Sequence, residues 1–221
     1  MGLVEGSDGG PRAYDGGIDA LPSSAELRSL LRDALAPVDT VPRHPDAAGA
    51  TRAAVLVPLI LDDEPPRVIL TRRTEHLPRH PGEISFPGGL AALGEPLPAA
   101  ALREVEEELG LAPAEVELLG ALPPVHTRVT GILIAPFVGA LDHEPALRPN
   151  PGEIAQVLVL SLAQLAEVGA EVELERGGIS FHTHVFDVEG EVVWGATGRI
   201  VRALLDLVGR RPPSDRSSAA R

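Results

Sequence analysis

Cysteine is absent from the 221 residues, which excludes disulfide scaffolding, thiolate zinc sites, iron–sulfur clusters and a cysteine nucleophile. Lysine is absent too, and all 19 basic residues are arginine. That excludes Schiff-base chemistry, the phosphate-binding lysine of a Walker A loop and the strand lysine of a kinase. Aromatic residues make up only 3% of the chain, so a core has to be assembled from Val, Leu, Ile and Ala. Long apolar runs are also missing. The longest, at 53–61, is interrupted by Pro58 and is too short to span a bilayer. No basic segment precedes an apolar one in the manner of a secretory signal, so a cytoplasmic protein without membrane partners is expected. A net charge of -13 argues against nucleic acid as a partner. It leaves room for an anionic small molecule held through a divalent cation, because carboxylates are the ligands of such cations.

What is present suits one well-buried domain. Residues 1–22 read as a flexible arm, 23–208 as a single domain and 209–221 as a flexible tail. Ser23 and Ser24 precede a periodic helix of about three turns with Leu27, Leu30, Leu31 and Leu35. Apolar runs at 53–61 and 68–71, separated by a turn at 62–66, read as two strands. A Pro/Gly-rich stretch at 78–89 leads to a helix at 97–109, closed by Gly110. Strands are expected at 116–122, 132–141 and 154–160, a hairpin at 179–188 and 192–194 turning at Glu189-Gly190, and a last helix at 196–208. Strands and helices interleaved in this order predict an α/β protein with a mixed sheet between helices.

The chemistry concentrates between residues 89 and 111. On a helix at roughly 100° per residue, Glu108 lies about 40° to one side of Glu104 and Glu107 about 60° to the other. Three carboxylates thus share a narrow face, with Leu102, Val105 and Leu109 opposite. Such like charges repel, and a central cation would relieve the repulsion. Arg103 can neutralise Glu107 at i,i+4, and the remaining oxygens suit a hard cation, Mg²⁺ or Mn²⁺. Before the helix, Phe86-Pro87-Gly88-Gly89 lets the backbone approach closely, so that a carbonyl could ligate a cation and amides could face phosphate oxygens.

Gly89, Glu95, Arg103, Glu104, Val105, Glu107, Glu108, Gly110 and Leu111 match the Gly-x5-Glu-x7-Arg-Glu-U-x-Glu-Glu-x-Gly-U pattern, in which U is an aliphatic residue, and so resemble the Nudix box of the Nudix hydrolases. The resemblance implies an α/β/α sandwich and metal-dependent hydrolysis of a nucleoside diphosphate linked to another group. It makes Glu104, Glu107 and Glu108 the metal ligands, with the Gly88 carbonyl beside them. Upstream, 69–74 with Leu77, His80, Gly82 and 86–89, and downstream 150–154 and 193–198, resemble the coenzyme A pyrophosphatase branch. That branch implies coenzyme A or a derivative as the small-molecule substrate, cleaved to 3′,5′-ADP and 4′-phosphopantetheine. Thr74, Pro78 and Ala92 depart from the branch pattern, which leaves open another substrate such as ADP-ribose, NADH or a nucleoside triphosphate. A non-catalytic Nudix sensor ranks lower, because no acid of the box is missing. The sequence leaves homodimerisation open.

Around this centre, Glu104 or Glu153 is expected to act as the base, with Arg103 in the catalytic group. Arg72, Arg79, His80 and Gly89 are expected to contact substrate, since arginine binds phosphate bidentately. Arg72 and Arg73 face opposite sides of a strand, so one of them at most reaches the same ligand as Arg79. His182 and His184 share a strand face and are expected to be ordinary half-buried packing. Trp194 is read as core, with stacking on a substrate ring as the alternative.

Overall fold

The computed structural model describes residues 21–40, 52–127, 131–176 and 179–209, with the short strand Arg12–Ala13. Most of the expected arm and tail therefore lies outside the described residues. In chain order the elements are β1 (Arg12–Ala13), α1 (Ser24–Ala34), β2 (Arg52–Ile60), β3 (Arg67–Arg73), β4 (Ile84–Ser85) and β5 (Gly88–Leu90). There follow α2 (Leu97–Leu109), β6 (Glu117–Ala121), β7 (Val125–His126), β8 (Leu133–Leu141) and β9 (Ile154–Ser161). The last are α3 (Leu162–Val168), β10 (Gly169–Arg176), β11 (Ile179–Val188), β12 (Glu191–Val193) and α4 (Gly195–Val208).

The main sheet runs β4-β3-β2-β8-β6, with β5 on β2, β7 on β8 and β9 on β3. It is mixed: β2 and β8 are parallel from Arg52↔Leu133 to Ile60↔Leu141, and the other pairs are antiparallel. A parallel pair covered on both faces calls for continuous apolar strands rather than alternating ones, and β2 and β8 have that character. Side-chain direction then sorts the residues by layer. Val57, Leu59, Val68, Leu70, Val138 and Ala140 pack with α1, α3 and α4. Ala54, Leu56, Ile60, Ile69, Ala135, Phe137 and Leu141 pack beneath α2. The sheet is thus the middle layer of an α/β/α sandwich, as expected.

Pro58 is better placed than its role as an interruption suggested. The amide of Leu56 points away from β8, to the carbonyl of Pro87, so the amide that Pro58 lacks falls on the same side. There β2 changes partner, from β5 at 53–55 to β3 at 59–60, and no ladder bond is lost.

The late hairpin stands outside the main sheet: β1-β10-β11-β12 form a separate antiparallel sheet. Strand β10 and helix α3 went unread, although Glu171-Val172-Glu173-Leu174-Glu175 alternates with period two. Phe186, Val188 and Val193 join this second sheet to the α1/α4 side of the core. Helix α1 opens with a capping box between Ser23 and Glu26. It is tied to β6 by Arg28 and Arg32, both of which pair with Glu117. Among the described residues no helix is long and apolar enough to cross a membrane.

Candidate active site

Helix α2 begins and ends where its sequence says. Proline is tolerated in a first turn, where Pro98 stands, because amides there have no intrahelical acceptor. Gly110 closes the helix at φ 66° and donates its amide to the Glu106 carbonyl. Ala100, Ala101, Val105 and Leu109 bury one face against the sheet.

The acidic face does not stand clear of the core; it straddles the core's edge. Glu107, on the solvent side, has a side chain 60% exposed, Glu104 is at 18% and Glu108 at only 4%. Arg103 holds the outer part together. Its Nε donates to Glu95 Oε1 at 2.8 Å and its Nη2 to Glu95 Oε2 at 3.1 Å. Its Nη1 donates to Glu104 at 2.8 Å and to Glu107 at 3.1 Å. Glu95 in turn accepts the Ala92 amide, and together these bonds hold the Glu95 carboxyl at a pKa of about 2. Glu95 and Arg103 therefore fasten the loop after β5 onto α2, which is more than the single i,i+4 neutralisation expected of Arg103.

Glu108 Oε2 accepts the Gly88 amide at 3.0 Å, and Arg73 Nη1 stands 3.8 Å from its other oxygen. Burial raises the Glu108 pKa to about 7 against the pull of Gly88 and Arg73, and the charges of Glu104 and Glu153 push the same way. Glu153 is carried there by the turn 150–153. Asn150 donates its amide to the Glu108 carbonyl at 2.8 Å, and Thr74 donates its amide to the Glu153 carbonyl at 2.9 Å. The Thr74 hydroxyl donates to the Gly152 carbonyl, so this residue supports the turn from within.

Among the described residues no three acidic or imidazole groups already form a cation cage; Arg103 occupies Glu104 and Glu107 instead. The donor set nevertheless fits a hard divalent cation. It is made of oxygen, and like charges crowd the buried Glu108. The two glycines leave room beside it. A Cβ on Gly89 would overlap the Glu104 carboxylate, and one on Gly88, at φ 149°, would stand 2.6 Å from Val55 Cα and overlap the Ala54 carbonyl.

Gly88 and Gly89 also line a cleft of about 610 Å³. Its ionisable lining is Arg73, Arg199, His80, His182 and Glu83, with His80 Nδ1 2.7 Å from Glu83 Oε2. In a chain of net charge -13, two arginines against one glutamate leave this lining with a formal positive excess. A larger cavity of about 900 Å³ lies by the start of α1. Its charged lining is Asp62, Asp63, Glu64 and Glu167, which suits no anionic substrate.

The structure brings Glu104, Glu108, Glu153, Gly88 and Gly89 together and sets Glu107 outermost. His80 lines the cleft, at φ 56°. Arg79 is exposed and lies outside the cleft's lining. Arg72 is paired with Glu191 of β12, whereas Arg73 faces both Glu108 and the cleft. A register shift between Arg72 and Arg73 in the pairing of β3 with β9 accompanies this placement. His184 is half-buried, as expected, with burial and then Arg202 holding its pKa below the ordinary value. His182 departs from that expectation: it is exposed and lines the cleft, as does the half-buried Trp194. Arg199 is the residue that the sequence reading missed, since one arginine on a helix carries no local signal of a cleft.

Comparison with known proteins places the chain. The NUDIX domain model matches residues 50–178. "Uncharacterized Nudix hydrolase NudL" of Enterobacter sp. (strain 638) is 34% identical over 176 residues, spanning 76% of this chain and 88% of that protein. The protein of the same name from Escherichia coli O1:K1 / APEC is 37% identical over 164 residues, 73% of this chain and 84% of its own. Among solved structures, a MutT/nudix family protein from Enterococcus faecalis aligns with a TM-score of 0.48 at 15% identity, over 83% of this chain and 74% of that one. The chain belongs to the Nudix family and is a Nudix hydrolase, acting on the diphosphate of a nucleoside diphosphate derivative.

Proposed function

We propose that this hydrolase cleaves the diphosphate of coenzyme A and its derivatives, giving 3′,5′-ADP and 4′-phosphopantetheine or its acylated form. The observation that carries the reading is the cleft itself. Two segments that resemble the coenzyme A pyrophosphatase branch, 69–89 and 193–198, meet in its walls through Arg73, His80, Phe86, Gly88, Trp194 and Thr197. Thr74, Pro78 and Ala92, which depart from the branch pattern, are all outside its lining.

Glu104, Glu107 and Glu108, with Gly88 alongside, would hold Mg²⁺ or Mn²⁺, which when bound neutralises phosphoryl charge and lowers the pKa of water. Arg103 is a positioning residue that keeps Glu104 and Glu107 beside the loop. Arg73 donates to the diphosphate oxygens from the cleft side. Water oxygen attacks a phosphorus of the diphosphate, the bond from that phosphorus to the bridging oxygen breaks, and a carboxylate of Glu104 or Glu153 takes the water's proton.

The test is incubation of the protein with coenzyme A and with dephospho-coenzyme A in Mg²⁺ or Mn²⁺, with products separated by chromatography. Release of 3′,5′-ADP, faster than dephospho-coenzyme A is cleaved and lost in Glu108→Gln, is the expected result. Cleavage of ADP-ribose or NADH but neither coenzyme would overturn the substrate and leave the Nudix hydrolase standing.

A further inference from the structure

The last carbonyls of a helix have no intrahelical donor and must find one elsewhere. At the end of α2 two of them are met by a distant stretch of chain. Arg148 donates its amide to the Leu109 carbonyl at 2.7 Å, and Asn150 donates its amide to the Glu108 carbonyl at 2.8 Å. From Asn150 the chain makes a β-turn, closed by the Glu153 amide on the Asn150 carbonyl at 3.1 Å. Asn in the first place and Pro151 in the second are residues that such a turn favours. Gly152, in the third, does not adopt a positive φ, so its missing side chain serves another purpose. A Cβ there would stand 3.3 Å from Asn150 Oδ1, and the Gly152 amide donates to that oxygen at 3.0 Å. Glycine thus gives the Asn150 side chain room to fold back over the turn.

The same bond decides which way the Asn150 carboxamide is turned. An amide N–H requires an acceptor, so Oδ1 lies over Gly152 and Nδ2 is left facing Glu153 Oε1 at 3.5 Å. At that length the contact orients the carboxylate more than it binds it. Among the described residues Asn150 Nδ2 is the one donor to this carboxylate. The backbone of Glu153 is fixed independently, by the Thr74 amide on its carbonyl. Asn150 therefore connects the backbone of one acid, Glu108, to the side chain of another, Glu153. Arg103 holds Glu104 and Glu107 with a charged group. A carboxamide differs in donating to a carboxylate without bringing a positive charge that would compete with a cation.

We propose that Asn150 is a positioning residue of the hydrolase, which turns the Glu153 carboxylate toward the cation-holding acids of α2 and keeps it in register with Glu108. The proposal rests on the reading of those acids as a divalent-cation site, and it is independent of which diphosphate is cleaved. The Glu153 charge strengthens the field at the cation whether or not it becomes a ligand.

The test is a double-mutant cycle on the full chain, read first by Mn²⁺ binding without substrate, with free Mn²⁺ measured by electron paramagnetic resonance. Glu153→Gln is expected to weaken Mn²⁺ binding roughly tenfold. Asn150→Ser keeps a side-chain oxygen for the Gly152 amide but is too short to reach Glu153. It is expected to melt as the wild type does, to weaken Mn²⁺ binding several-fold, and to have no further effect when Glu153 is already Gln. Asn150→Ala, which removes both contacts, should match Asn150→Ser in Mn²⁺ binding and fall below it in thermal stability. Equal losses from Asn150→Ser in both backgrounds would show a role through the fold alone and overturn the proposal. So would wild-type Mn²⁺ affinity in Asn150→Ser, or in Glu153→Gln, because Asn150 would then have nothing to act through. A wild type that binds no Mn²⁺ would instead remove the cation site on which the proposal rests. In turnover of coenzyme A the same pattern is expected in kcat, with KM unmoved. Failure of the wild type to cleave coenzyme A would remove the substrate reading and leave the Mn²⁺ cycle to decide the role of Asn150.

Discussion

The two sides of the Gly88–Gly89 strand are built from opposite charges and by opposite means. On the α2 side stand Glu104, Glu107, Glu108 and Glu153, held by Arg103 and the Gly88 amide. On the cleft side stand Arg73, Arg199 and two histidines. The acids come chiefly from one helix, at spacings that helix geometry dictates. The arginines come from β3 and α4, and the histidines from the loop after β3 and from β11. Two consecutive glycines separate the groups, with no side chain between them. The comparison teaches that the carboxylate group and the arginine-bearing cleft are assembled from different parts of the chain and meet across two residues without side chains.

The largest effect should come from the acidic side. Glu108→Gln keeps an oxygen for the Gly88 amide, so the fold survives, while turnover falls roughly 10²-fold or more. Steady-state kinetics alongside a thermal melt checks both halves of that statement. Gly88→Ala attacks the partition itself. The left-handed φ of 149° and the overlap with Ala54 should cost roughly 2–4 kcal/mol, read from denaturant unfolding.

Arg103→Ala should lower kcat about tenfold by freeing Glu104 and Glu107, as loss of an outer-sphere support does. The preference between coenzyme A and dephospho-coenzyme A should not follow it; a parallel fall in both would mean that the two sides are coupled. Comparison of Arg72 with Arg73 is sharper still. Arg73→Ala should raise KM several-fold, about 1 kcal/mol for a lost charged hydrogen bond, whereas Arg72→Ala loses a surface pair with Glu191 worth under about 1 kcal/mol of stability and leaves KM nearly alone.

The smallest effect concerns acid. The folded-state pKa of Glu95 is about 2 against an ordinary value of 4.5. Its contribution is therefore complete above about pH 4.5 and is lost as pH falls toward 2. Unfolding curves of wild type and Glu95→Gln should converge across that window, and curves that stay parallel would deny Glu95 its role in fastening the loop.

Much of the fold was legible because its signals are local. Helix α2 runs over 97–109 as expected, and Gly110 ends it in the left-handed conformation. Strands β2 and β8 were visible as apolar runs because both their faces are covered. Strand β10 was missed despite its alternating glutamates, and α3 is only seven residues long, too short to show a period. The assignment of the late hairpin to a separate sheet could not have been read, since strand pairing joins residues with no common local pattern.

The candidate site divides in the same way. The spacing of Glu104, Glu107 and Glu108 is a property of 3.6 residues per turn, and the order of residues alone determined that they would be neighbours. Order also determined the cap at Gly110, and the absence of cysteine and lysine left oxygen and arginine as the available chemistry. Which of the three acids is buried was decided by the sheet on which α2 rests. That Arg73 rather than Arg72 faces Glu108 was decided by the pairing of β3 with β9. That His182, Trp194 and Arg199 share one wall was decided by the docking of α4 on β11 through Gly198. Local geometry follows from bonds between near neighbours along the chain; burial and convergence follow from which surfaces exclude water together, and only the folded chain brings those surfaces into contact.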